Sequence, residues 1–105
     1  MQFMFHVKLA KPEGMSNKEF YGLWEKEAAV ALGALKAGAM QAIFKVPGKL
    51  EVIGILDAGT ADDIDHIVHS LPLMSLGYSH LITDITWTPL RSYENWAADL
   101  PQLAA

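Results

Sequence analysis

The sequence predicts an α+β domain of the ferredoxin-like type, β-α-β-β-α-β, in which a four-stranded antiparallel sheet carries two helices on one face. Period-two hydrophobic runs mark strands at both ends and in the middle of the chain, two capping signatures each introduce an amphipathic helix, and Pro/Gly pairs punctuate the joins. In residues 2–9, Phe3, Phe5, Val7 and Leu9 alternate with Gln2, Met4, His6 and Lys8, which is a strand with one apolar face. Lys11-Pro12-Glu13-Gly14 ends it. Ser16 followed by Glu19 has the form of a capping box, so a helix is expected from Asn17 to Ala37, with Gly38 as its left-handed terminus. Phe20, Leu23, Trp24, Ala28, Ala31 and Leu35 form its apolar stripe.

The β-rich runs Met40–Val46 and Leu50–Asp57 flank Pro47-Gly48-Lys49 and predict an antiparallel hairpin. Thr60 and Asp63 repeat the capping logic, with acids where the helix dipole favours them. The second helix then sets Ile64, Ile67, Val68 and Leu71 on one face, and Pro72 closes it. A loop with Ser and Gly leads to a last strand from Tyr78 to Thr88, ended by Pro89.

A chain of 105 residues holds one domain, expected over 1–90. Residues 91–105 form an extension whose Tyr93, Trp96 and Leu100 are too apolar for a free tail, so it is expected to pack on the domain or on a neighbouring subunit. The composition is 51% hydrophobic and only 19% charged, and a domain this small has little interior in which to hide the excess. No run reaches the ~18 apolar residues of a membrane span, and the opening segment lacks a signal peptide's basic region. The surplus therefore points to a partner subunit or an apolar pocket. Two helices cover one sheet face, and the other would carry Met4, His6, Lys8, Phe44, Ile53 and Ile55. Such a face suits sheet-to-sheet packing in a dimeric α+β barrel, a homo-oligomer of at least two chains, with a pocket between sheet and helices.

Absence of cysteine excludes disulfides, thiolate nucleophiles and cysteine-held metals, and it fits a reducing cytoplasm. Eight basic against twelve acidic residues, net charge -4, argue against nucleic acid. The sequence has no G-x-G-x-x-G, P-loop, G-x-S-x-G or H-E-x-x-H pattern, and no cofactor or metal is expected. His66 and His69, three apart with Asp62 nearby, point away from their helix's apolar face and read as a solvated surface.

Glu27 is the most informative residue. It lies within the apolar stripe of the first helix, four after Leu23 and four before Ala31. Desolvation raises a carboxyl's pKa, which is how a general base is poised near neutrality; the alternative is an ion pair with a nearby lysine. His6 and Lys8 share a strand face that would point into the barrel. There Lys8 would hold a substrate carboxylate or pair with Glu51, Asp57 or Asp84, and His6 is either a reacting group or a satisfied core residue. Trp24 and Phe44 are candidate walls of the substrate site. Tyr78 and His80 stand at a loop–strand junction, where binding residues concentrate. Arg91, the single arginine, would clamp a carboxylate or bridge to a neighbour.

Met4-Phe5-His6-Val7-Lys8-Leu9, Glu25-Lys26-Glu27, Gly38, Phe44-Lys45-Val46 with Gly48, and Ser70-Leu71-Pro72-Leu73 together resemble the muconolactone Δ-isomerase family over most of residues 3–90. The resemblance implies a ferredoxin-like fold, homo-oligomers up to decamers, and a cofactor-free 1,3-proton shift that moves the double bond of an unsaturated lactone in aromatic-compound catabolism. It further implies that Glu27 carries the proton while Lys8 or another polar group holds the substrate carboxylate or the dienolate oxygen. Glu25 and Glu27 both fit the family's carboxylate position, and periodicity selects Glu27. The stretch Met74–His80 is longer than the family's, and the tail with Tyr93 and Trp96 departs from its usual end. Two other classes remain: a cofactor-independent monooxygenase of the same barrel type, with Trp24, Tyr78 and His80 around a phenol, and a non-catalytic small-molecule binder.

Overall fold

The computed structural model describes all 105 residues. Strands β1 (Gln2–Leu9), β2 (Met40–Lys45), β3 (Glu51–Asp57) and β4 (Ile82–Leu90) form one antiparallel sheet in the order β2-β3-β1-β4. Helices α1 (Asn17–Ala37) and α2 (Ala61–Ser70) are the two long connections, joined by a short α3 (Pro72–Ser75) and a terminal α4 (Tyr93–Leu103). Strands β1 and β3 are central, and β2 and β4 are the two edges, as the split βαβ arrangement requires.

Both predicted N-caps form, the one at α1 through the serine side of the box only. Ser16 Oγ accepts from the Glu19 N–H at 3.1 Å, and Gly38 ends α1 at φ 85°. At α2 the box is reciprocal: Asp63 N–H donates to Thr60 Oγ1 at 3.2 Å, and Thr60 N–H donates to Asp63 Oδ2 at 3.1 Å. Alternation then sorts the β1 side chains. Phe3, Phe5 and Val7 face the helices opposite Leu56, Gly54 and Val52, whereas Met4, His6 and Lys8 lie on the other face opposite Ile55, Ile53 and Glu51. Two small cores result, one around Phe20, Leu23, Leu73 and Leu81, the other around Phe5, Leu56 and Ala58. At Gly54 an added Cβ would sit 2.3 Å from Phe5 Cζ, so only glycine lets that ring lie against β3.

Three elements differ from the sequence expectation. Residues 79–81 form a 3-10 turn and β4 starts only at Ile82, running through Pro89, which pairs with Phe3. A proline is tolerated there because β4 is an edge strand and needs no donor on its open side. Pro72 does not simply end a helix: it forces Leu71 into an extended conformation (ψ 145°) and then starts α3 at its first position. The extension is helical and stands away from the body. No other element makes an extended contact with α4, the molecule measures 62 × 26 × 22 Å, and its radius of gyration is 16.6 Å against about 13 Å for a compact domain of this length.

Candidate functional site

Between the helix-facing side of the sheet and α1, α2 and α3 lies a cavity of about 830 Å³, bounded by both core clusters and opening to solvent past exposed Tyr21, Val30 and Leu32. Of its thirty lining residues twenty-five are hydrophobic; the exceptions are Glu25, Glu27, Lys45, Asp57 and Ser70. So apolar a wall selects ligands that are themselves largely apolar, oriented by a few polar groups.

Glu27 is the polar group fixed most firmly in that wall. It is half-buried on α1, and its Oε1 accepts the backbone N–H of Leu73 at 2.6 Å. Oε2 makes no hydrogen bond within the chain and is not sealed away. Burial pushes the carboxyl above its ordinary 4.5, and the Leu73 N–H, which favours the charged form, restrains the rise. Glu25 also lines the cavity but is exposed and bonds to nothing. Trp24 and Trp87 form part of the wall. Trp24 stands edge-on to Phe20 at 5.9 Å and stacked on Tyr21 at 6.4 Å, and Trp87 leans on Phe5 at 5.6 Å.

The chain brings Glu27 and Trp24 to this cavity, whereas Phe44 only borders it at the edge strand: paired with Ile53, its 65%-exposed ring lies on the outer sheet face. It does not bring His6 and Lys8 there. Strand alternation puts both on the opposite sheet face, where His6 Nε2 meets Glu51 Oε1 at 2.7 Å. That contact, with Lys49 and Lys8 near, holds the Glu51 carboxyl below its ordinary value despite opposing desolvation. Tyr78 packs against the Phe20 core and lines a separate small surface depression with Lys18 and Lys26, and His80 is exposed beside it. Arg91 turns to Asp99 and lies 5.5 Å from the Trp96 ring, so it belongs to the projecting α4. His66, His69 and Asp62 are exposed. Trp87, Ser70 and Lys45 are the wall residues that sequence reasoning passed over. Trp87 and Lys45 sit on the helix-facing side of their strands, which only a known register identifies.

The sequence model of the family described as muconolactone delta-isomerase matches residues 1–96. Among solved structures, a muconolactone isomerase superposes with a TM-score of 0.71 at 17% identity, covering 88% of this chain and 90% of that one. A 5-chloro-2-hydroxyhydroquinone dehydrochlorinase from Burkholderia phenoliruptrix AC1100, solved with 2,5-dihydroxybenzoquinone, reaches 0.59 at 16% identity, covering 87% of this chain and 94% of that one. A search of curated proteins gave no match. No helix is long and apolar enough to cross a membrane. With the strand order and topology shared and the family match running through almost all of the sheet and helices, the chain belongs to the muconolactone delta-isomerase family.

Proposed function

We propose that this protein is a cofactor-free isomerase that moves the ring double bond of a small unsaturated lactone by a 1,3-proton shift, in the breakdown of aromatic compounds. The observation that carries the reading is Glu27: a carboxylate in an apolar wall, held by one oxygen, its other oxygen free and its pKa raised. Such a group takes a proton from a ring carbon activated by the lactone carbonyl and returns it to the allylic position. One C–H bond breaks, another forms, and no electrons leave the substrate. The Leu73 N–H keeps the carboxylate aimed while it gains and loses the proton. Trp24, Trp87 and Phe5 exclude water and hold the ring.

Quaternary structure is part of the proposal. The single chain exposes 7149 Å², roughly 1300 Å² more than a compact monomer of its mass. Only eight residues are buried, while Tyr93, Trp96, Leu100 and Leu103 of α4 and Phe44 of the outer sheet face lie uncovered. Homo-oligomerisation, with α4 packing on a neighbouring subunit, removes this surface from water.

The deciding experiment is a spectrophotometric screen of unsaturated lactones with the wild type and Glu27→Gln. Turnover by the wild type and its loss in the variant support the reading. Oxygen consumption with a phenolic substrate, and no lactone turnover, would replace it by the monooxygenase class. If the same carboxylate removed the proton from a carbon next to a C–Cl bond, the C–H electron pair would form the new C=C as chloride left, so a chlorinated substrate belongs in the screen.

A further inference from the structure

Lys45 is the single cation among the residues lining the cavity. Its place follows from register. Lys45 of β2 pairs with Val52 of β3, so its exposed side chain belongs to the helix-facing side of the edge strand, beside a residue of the cavity wall. Its Nζ donates to the neighbouring Val46 carbonyl at 2.8 Å and has no carboxylate within ion-pair reach. The acids that line the cavity do not neutralise it: Asp57 is bound by the chain's own amino terminus at 2.7 Å, and Glu27 is tied to Leu73. An ammonium has three donors, and two of these remain.

The position of Lys45 on the edge strand, in a cavity that also holds Glu27, gives the cation a purpose. Glu27 is anchored to Leu73, which packs with Leu81 at the head of β4, and β4 and β2 are the two opposite edges of the sheet. The cavity thus has a half-buried acid on its helical wall, an exposed cation on the edge strand, and a lining otherwise almost entirely of hydrocarbon. We propose that Lys45 is the specificity residue of this site, holding the carboxylate of an amphiphilic monoanion whose ring lies on the apolar wall and whose reacting C–H is turned toward Glu27. This rests on the cavity being the substrate site, as in the proposed function. It replaces Lys8, which the sheet separates from the cavity, as the group that recognises the anion. A carboxylate entering the chamber is repelled by Glu25 and Glu27, while Asp57 is already paired with the amino terminus, so the cation at this corner fixes the direction in which the substrate binds as well as its affinity.

Binding can be read without turnover, because Trp24 and Trp87 line the cavity and report a ligand by fluorescence. The probes are 3-phenylpropionate and its neutral amide, 3-phenylpropionamide, titrated into the full-length protein at low salt and neutral pH. The acid is expected to bind about tenfold more tightly than the amide, a preference worth ~1.4 kcal/mol. Lys45→Gln should abolish that preference, Lys45→Arg should keep it, and Lys49→Gln, which removes the same charge from the adjacent hairpin, should also keep it. With any lactone acid that is turned over, Lys45→Gln should raise KM far more than it lowers kcat. Equal affinity for acid and amide, a preference that survives Lys45→Gln, or no saturable quenching by the acid up to ~10 mM overturns the assignment. Loss of the isomerase reading alone leaves a different signature: no lactone is converted, yet the Lys45-dependent preference for the acid persists.

Discussion

The carboxylate of Glu27 and the amide of Leu73, 46 residues apart in sequence, meet at 2.6 Å across the junction of α1 and α3. This bond positions a charged group in an apolar wall and satisfies the backbone donor of a nearly fully buried leucine. Function and stability therefore make opposite demands on the same side chain, and substitutions separate them.

Glu27→Gln retains an oxygen acceptor for Leu73 but removes the base. It should lower kcat by at least about two orders of magnitude while leaving the melting temperature unchanged or higher. Glu27→Leu strands the Leu73 N–H and should cost ~1–3 kcal/mol of stability. Steady-state kinetics and thermal unfolding of the two variants check both statements, and normal turnover by Glu27→Gln removes this residue from the mechanism.

The pH dependence has two signs. Since the Glu27 pKa is raised on folding, its contribution to stability is full below the ordinary 4.5 and is lost as pH rises through the folded value. Activity runs the other way: kcat/KM should climb as pH rises through that same raised value, because only the ionised base accepts a proton. Glu51, whose pKa is lowered, stabilises above 4.5 and loses that contribution as pH falls through its folded value. Glu51→Gln should therefore flatten the acid limb of a stability–pH curve without moving the kinetic one.

Gly54→Ala places a methyl group 2.3 Å from Phe5 Cζ. The ring must leave its seat against β3 and shift against Trp87, which shares the cavity wall. A loss of ~1–3 kcal/mol is expected, with an altered near-ultraviolet circular dichroism from the Phe5–Trp87 pair. An unchanged spectrum and melting temperature would show that the ring has room to move.

Light scattering should give a mass at least twice the 11.5 kDa of the chain. Deleting residues 92–105 should reduce the assembly or its stability while the sheet's circular dichroism persists, because α4 has no extended contact with the body of its own chain. A monomeric wild type ends the oligomer proposal.

Much of this was legible in the residues themselves. Alternation in Phe3–Leu9, the caps at Ser16 and Thr60, and Gly38 and Gly48 act through neighbours a few positions away, so local physics alone determined β1, α1, the hairpin and the start of α2. The same periodicity placed Glu27 in the apolar stripe. Pro89 was misleading because its effect depends on whether its strand is an edge. His6 and Lys8 were assigned to the site because alternation tells which residues share a face but not on which side of the sheet the ligand space lies. Lys45 and Trp87 were missed because their face depends on the β2–β3 and β1–β4 registers, and Leu73 because a contact spanning 46 residues leaves no periodic trace. The amino-acid order by itself settled the four strands, the two long helices and the carboxylate on the first of them, but not the 3-10 turn, α3 or α4. The tertiary structure decided what that carboxylate faces, since hydrogen-bond partners, cation placement and enclosed volume arise only when distant segments meet.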